Sequence, residues 1–373
     1  MLANTRRAAL GFKFVRKITN ACVHEKATNN YKMNAWQVHS YGDELLRSST
    51  RTPIVNEVNE VLVKVEAASV NPIDLLMKEG YARTVLNVLR KSDMELPLTL
   101  GRDFCGTIVS KGLASNSKFK MGDKVYGFVP LHKQGSFAEY VLAESDHICF
   151  QPEHLKPTEC TSVVYAAMTA WSALFITGGL QFENTKNKRI LVLGASGGVG
   201  TMAVQLLKTQ GVQVIGTCST NAVPLVRSLG ADEVIDYTQP DYLKQIAESR
   251  YDIILDCAKF GVNNLPTNWK FKQFITLNSP LMLNTDKYGL LPGVLKSATT
   301  LVGDNIVILK DGKVIKWGFF LPCKKGFELI NGLLTKKEIR PITHKEFDFD
   351  EIPDALAEVN KGHLRGKVVI NVK

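Results

Sequence analysis

Between residues 189 and 219 the apolar positions change period twice. Ile190 to Leu193 form an unbroken apolar run, the mark of a parallel strand covered on both faces. Val199, Met202, Ala203, Leu206 and Leu207 then keep helical spacing up to Gly211, and a second buried strand runs to Ser219. The turn between the first strand and the helix is GASGGVG, residues 194–200. Its glycines let backbone amides approach a ligand that a Cβ would exclude, and the helix start adds unpaired N–H groups and the positive end of its dipole. Strand, turn, helix and strand in that order predict a pyrophosphate site and hence a dinucleotide. The turn departs from G-x-G-x-x-G, with Ala195 and Ser196 following the first glycine. An acid at the end of the second strand would hold an NAD ribose. Thr217, Cys218 and Ser219 stand there, and no acid follows before Asp232. The expected cofactor is therefore NADPH, its 2′-phosphate held by hydroxyls, backbone and Arg227 or Tyr237.

Upstream the pattern is that of strands. Residues 33–38 and 60–67 read as two of them, 42–59 as a polar loop between, and Pro72 ends the second strand ahead of a short helix through 75–80. Residues 81–98, with Arg83, Arg90 and Lys91, read as a loop that could rim a pocket. The stretches 97–112, 119–129 and 135–143 add short strands separated by turns, giving a compact β-barrel-like unit. From residue 153 the periodicity is helical, first over 158–174. Beyond Ser219, helices over 221–229 and 241–248 alternate with strands over 233–236, 251–256 and 274–277. This alternation predicts an α/β fold with a doubly wound parallel sheet. An insertion at 281–305 interrupts it, and the tail (strand 342–349, helix 353–360, strand 366–372) is again β-rich and could complete the first unit. The expected division is a leader at 1–30, a first domain at 33–155 completed by 340–373, and a nucleotide-binding domain at 156–339.

With 45% hydrophobic and 22% charged residues, the 373-residue chain has an ordinary globular composition. No apolar run approaches the ~18 residues that span a bilayer. Of the net charge of +10, residues 1–33 carry +6, which leaves a mildly basic body for which a nucleic-acid partner is not expected. The first 20 residues contain no acid and mix Arg and Lys with Leu10, Phe12, Phe14, Val15 and Ile18, the composition of a mitochondrial presequence. Seven cysteines, at 22, 105, 149, 160, 218, 257 and 323, form no C-x-x-C pair, which suits a reducing compartment and predicts no metal site.

The motifs VNPID (70–74), LGRD (100–103), GDKVYG (122–127), QGSFAEYV (134–141), MTAW (168–171), GASGGVG (194–200), LGADEVIDY (229–237) and GHLRGKVVINV (362–372) follow one another in that order. The set resembles the medium-chain dehydrogenase/reductase superfamily, specifically its zinc-free quinone oxidoreductases, and the likeness covers residues 33–373. It implies a GroES-like β-barrel catalytic domain followed by a Rossmann domain, with the nicotinamide between them. Asn71 and Arg102 stand where zinc members carry Cys and His, and the four-Cys structural lobe is missing. The resemblance further implies Ser196, Gly198 and Val199 at the pyrophosphate, and Ser219 with Tyr237 at the 2′-phosphate. Gly318, Phe320, His363, Leu364 and Arg365 would lie along the rest of NADPH, with Thr169 as a further phosphate contact. It implies partners among reticulon, respiratory-chain or ubiquinone-biosynthesis proteins, and a homodimer through a sheet edge. One departure is the loop Cys257-Ala258-Lys259-Phe260-Gly261, where the family likeness expects an Asn-Val-Gly-Gly type of loop beside the nicotinamide.

Hydride transfer needs an acceptor held near the nicotinamide and a group that accommodates charge on its oxygen. Asn71, an amide, and Tyr81, a phenol, are the candidate catalytic residues, and Asp74 is expected to stabilise the local turn. The expected function is a mitochondrial NADPH-dependent oxidoreductase acting on a quinone or α,β-unsaturated carbonyl. The alternatives are a 2-enoyl thioester reductase and an NADPH-binding scaffold for which catalysis is secondary.

Overall fold

The computed structural model describes residues 31–90, 94–113, 115 and 118–372, so the presequence expected at 1–30 lies outside the described residues. Six strands form one wholly parallel sheet in the order Glu233–Asp236, Gln213–Cys218, Arg189–Leu193, Arg250–Asp256, Lys270–Thr276, Val314–Trp317. The first of these strands along the chain, Arg189–Leu193, sits inside the sheet, and the chain winds outward from it in both directions. It and its neighbours carry aliphatic side chains on both faces: Ile190, Leu191, Val192, Ile215, Ile254 and Leu255 are all fully buried. Each contributes about 2 kcal/mol of burial.

The N-terminal half, joined by the last two strands of the chain, builds two further sheets. Lys32–Val38 pairs antiparallel with Leu46–Arg51 and with the short Leu98–Thr99. The larger sheet runs Thr343–Asp348, Lys367–Asn371, Glu60–Val70, Asp103–Lys111, Lys124–Phe128, Ile148–Phe150, and Tyr140–Glu144 also pairs with Glu60–Val70. The last strand of the chain is thus hydrogen-bonded beside one of the first, Val368 opposite Val70.

Four segments differ from the sequence expectations. The polar loop contains a strand, Leu46–Arg51, whose alternating exposed and half-buried residues carry no apolar signal because it is an edge. Residues Arg83–Arg90 form a helix that buries Leu86 and Arg90. The insertion forms two helices, Leu281–Tyr288 and Leu290–Leu309. The helical stretch Pro157–Thr177 is by length and composition apolar enough to cross a membrane, contrary to the reading that no run approaches that limit; most of it is buried in the protein core, which accounts for its hydropathy.

Candidate functional site

The glycine turn is built as the sequence predicts. Helix Gly198–Thr209 begins at Gly197, and its first amides have no partner within the helix. A Cβ on Gly200 would lie 2.1 Å from the Gly194 carbonyl oxygen, so the last glycine of the turn lets helix and strand close on each other. At Gly197 the nearest atom to such a Cβ is 3.6 Å away, an open cradle in front of the helix. This geometry fits a pyrophosphate.

A second segment closes on this turn from the C-terminal tail. The Gly366 amide donates to the Ser196 carbonyl at 2.9 Å, and Gly197 and Gly366 form a parallel bridge. Gly366 has φ +87°, and a Cβ there would lie 2.1 Å from the Ile342 oxygen. Three residues earlier, His363 Nδ1 lies 3.3 Å from the Tyr237 hydroxyl. Tyr237 is adjacent to Ser219 because its amide bonds to the Cys218 carbonyl across neighbouring strand ends. The Ser219 hydroxyl donates to Asn221 Oδ1 at 2.8 Å. Leu364 packs against the N-terminal core, the Arg365 side chain is exposed, and Val199 is half-buried against the helix core.

At the other end, Asn71 is buried with both ends of its amide engaged. Its Nδ2 donates to Asp103 Oδ2 (2.7 Å) and its Oδ1 accepts from Lys367 Nζ (2.5 Å). Asp103 also accepts from the Ser69 hydroxyl and from the Tyr165 amide (2.8 Å). Asp74 behaves as expected, accepting from the Asn71 amide (2.8 Å) and the Gly101 amide (2.9 Å). Arg102, fully buried, donates to the carbonyls of Thr99, Pro130 and Lys133, each at 3.0 Å. Its Nε is 3.9 Å from Asp74 Oδ1. A guanidinium anchored to three carbonyls cannot bind a cation, and the Asn71 Oδ1 already faces the ammonium of Lys367. Among the described residues no group of three His, Cys, Asp or Glu is placed to hold a metal ion.

Burial raises Asp74 from its ordinary 3.8 to about 6, against the opposing pull of Arg102 and of the Asn71 and Gly101 amides. The folded chain therefore binds this proton more tightly than the unfolded one, and stability falls as pH rises from about 4 to about 6. At about 1.4 kcal/mol per unit, ionisation costs on the order of 3 kcal/mol. Relative to Asp74→Asn, the wild-type unfolding free energy is expected to drop by that amount between pH 4 and 6.5 in urea titrations. A parallel pH dependence of the two proteins would contradict the assignment.

Phe320 stacks on Tyr165, with ring centroids 4.2 Å apart and planes 4° apart. Burial pushes the Tyr165 phenol up, as do the carboxylates of Asp74 and Asp103, while Arg102 opposes them. Tyr81 lies within its electrostatic reach and is itself raised by burial and by Asp286. Gly318 donates to the Thr276 carbonyl (2.9 Å), and a Cβ there would come within 3.0 to 3.1 Å of Leu277, Ala173 and Ile275. The loop after Asp256 is a tight turn on that carboxylate, which accepts from the amides of Ala258, Phe260 and Gly261 at 3.0 to 3.1 Å. Thr169 uses its hydroxyl on the Tyr165 carbonyl of its own helix. Lys367, Asp103 and Tyr165 are the residues that sequence reasoning missed, since each reads as an ordinary strand or helix position.

Comparisons with known proteins place the fold in a family. Residues 57–153 match the Alcohol dehydrogenase GroES-like domain and residues 229–370 match the family described as Zinc-binding dehydrogenase. NAD(P)H oxidoreductase RTN4IP1, mitochondrial, from Drosophila melanogaster is 42% identical over 92% of this chain and 87% of its own length. The Homo sapiens protein of the same name is 38% identical over 96% and 94%. Among solved structures, the quinone oxidoreductase from Coxiella burnetii superposes with a TM-score of 0.73 at 26% identity, covering 92% of this chain and all of that one. With the glycine turn, the barrel-side amide and the returning C-terminal strand in one arrangement, and with relatives this similar along nearly its whole length, the chain belongs to the medium-chain dehydrogenase/reductase superfamily, alongside the mitochondrial RTN4IP1 proteins.

Proposed function

We propose that this mitochondrial oxidoreductase uses NADPH to reduce a quinone or an α,β-unsaturated carbonyl without a metal. The observation that carries the reading is the buried Asn71 amide, in the place of a metal ligand, bonded to Lys367 of the C-terminal segment that also closes on the phosphate turn through Gly366. The bound nicotinamide supplies a hydride. Ser196, Gly198 and Val199 hold the pyrophosphate, and Ser219, Tyr237, His363 and Arg365 hold the adenosine end. Leu364, Gly318 and Phe320 flank the remainder. Asn71, an amide able to bond both the nicotinamide ribose and the acceptor, orients the two, and the protonated phenols of Tyr81 and Tyr165 are the proton sources for the acceptor's oxygen or carbon. The division into a domain at 33–155 completed by 340–373 and a nucleotide-binding domain at 156–339 follows from the same reading. Oxidation of NADPH against a panel of small quinones and enones tests it, and no turnover above blank in the presence of tight NADPH binding would sink it.

The two phenols also favour a second reading, a 2-enoyl thioester reductase, because reduction of an enoyl thioester needs a proton delivered to carbon. Turnover of enoyl thioesters in place of quinones selects it. Binding to reticulon, respiratory-chain or ubiquinone-biosynthesis proteins rests on the likeness to relatives and is tested by capture from mitochondrial extract.

A second copy of the chain is the partner the surface favours. Helix Leu290–Leu309 exposes Leu291, Leu295, Val302, Ile306 and Leu309, each more than half accessible and spaced to form one ridge along the helix. The free edge strand Val314–Trp317 follows directly. Wild-type protein is expected to run as a dimer in light scattering, and Leu295→Glu with Ile306→Glu as a monomer; a monomeric wild type would refute the dimer.

A further inference from the structure

Lys367 is buried to 5% exposure, an unusual place for an ammonium group. Its Nζ donates to Asn71 Oδ1 (2.5 Å) and to the Val70 carbonyl (2.7 Å) and lies 3.8 Å from Asp103 Oδ2. Its alkyl stem crosses the glycine turn, since a Cβ on Gly198 would come within 2.9 Å of Lys367 Cδ. One side chain therefore lies over the start of the phosphate-binding helix and ends on the amide at the far side of the site. The residues just before it complete the span: Gly366 on Ser196 and His363 on Tyr237.

The Asn71 amide has two possible orientations, exchanged by a rotation of half a turn. As observed, its oxygen faces the ammonium of Lys367 and its NH2 faces the carboxylate of Asp103. Rotated, oxygen would face carboxylate and NH2 would face ammonium, two repulsions between fully desolvated groups. The remaining N–H of Nδ2 and the second lone pair of Oδ1 are consequently aimed in fixed directions.

We propose that Lys367 is a positioning residue: it locks the orientation of the Asn71 amide and ties it to the phosphate turn, so that the nicotinamide end of the site is set by the same side chain that covers Gly198. The proposal rests on the reading of Asn71 as a cofactor- and acceptor-facing group. The role of Lys367 is through Asn71, since its Nζ is taken up by Asn71, the Val70 carbonyl and Asp103.

The test is a double-mutant cycle read by binding, with NADPH and adenosine 2′,5′-bisphosphate as probes. Asn71→Ala and Lys367→Met are each expected to weaken NADPH about 10-fold, the double variant no further, and the bisphosphate, which lacks the nicotinamide, is expected to bind all three within twofold of wild type. Additive losses near 100-fold, or equal losses for the bisphosphate, would overturn the proposal by making Lys367 a general support. If Asn71→Ala leaves NADPH affinity unchanged, the reading of Asn71 itself fails. The side-chain amide resonances of 15N-labelled Asn71 then decide the orientation alone: Lys367→Met should shift them and speed their exchange with solvent, and unchanged resonances refute the lock. Should Lys367→Met not fold because Asp103 is left uncompensated, Lys367→Met with Asp103→Asn removes both buried charges and takes its place in both measurements.

Discussion

Gly197→Asp is expected to fold with a stability equal to or above that of the wild type and to bind NADPH at least 100-fold more weakly. The position does not need glycine for its backbone, with φ −75° and ψ 174°, and a Cβ there meets nothing closer than 3.6 Å. Asp is among the favoured residues at a helix start, where its carboxylate accepts from the free amides and complements the dipole, a gain of about 0.5–1 kcal/mol. Those same amides are the ones proposed to receive the pyrophosphate, so the carboxylate competes for them and repels the phosphates. A 100-fold loss corresponds to about 2.7 kcal/mol. Fluorescence titration with NADPH and thermal unfolding without it check the two halves, and a dissociation constant within threefold of wild type would show that the cradle is not the phosphate site. Gly200→Ala is the contrast: its Cβ would press on the Gly194 carbonyl from 2.1 Å, so it damages the turn before any ligand arrives.

The second large effect is on stability. Arg102→Met should cost on the order of 3–5 kcal/mol, because it leaves Asp74 without its cation and strips three buried carbonyls of their donor. For a chain of this size that lowers Tm by roughly 5 °C. Methionine fills a similar volume, so packing loss is small and the change reports the lost charge and hydrogen bonds. A shift under about 2 °C would show that the guanidinium is dispensable and that position 102 is free to take other chemistry.

The parts of the molecule that were legible in the sequence are those where backbone geometry dictates residue type. Ile190 to Leu193, the glycines at 194 to 200 and the helical spacing through Leu207 each follow from a local constraint, and the alternation beyond Ser219 gave the parallel sheet. The missed strand Leu46–Arg51 is an edge that buries almost nothing, so no period marks it. Helix Leu290–Leu309 escaped because Pro292, Gly293 and Gly303 interrupt it and most of its apolar residues line an exposed ridge, with Leu301 and Ile308 only half-buried against the core. In the site, Asn71 was legible through its place before Pro72. Lys367 was hidden because a lysine in a final strand reads as a solvated residue, and only the pairing of that strand with Glu60–Val70 brings it to Asn71. Tyr165 lies in an apolar helical run that looks like plain core, and its contact with Phe320 joins positions more than 150 residues apart.

Asp286 joins the two halves of the chain by another route. Its carboxylate accepts from the amides of Ala82 and Thr84, at 2.6 and 2.9 Å, so the first of the two inserted helices is latched to the segment that carries Tyr81. The bond between Gly366 and Ser196 fastens the same two halves at the phosphate end. Fastened at both ends, the assembly cannot swing apart about a single hinge without breaking a latch. The one at Asp286 consists of side-chain bonds that water can replace, and the one at Gly366 of packed backbone. Opening on the Tyr81 side therefore asks only that water take over two amides from one carboxylate, whereas opening at Gly366 asks that packed backbone come apart.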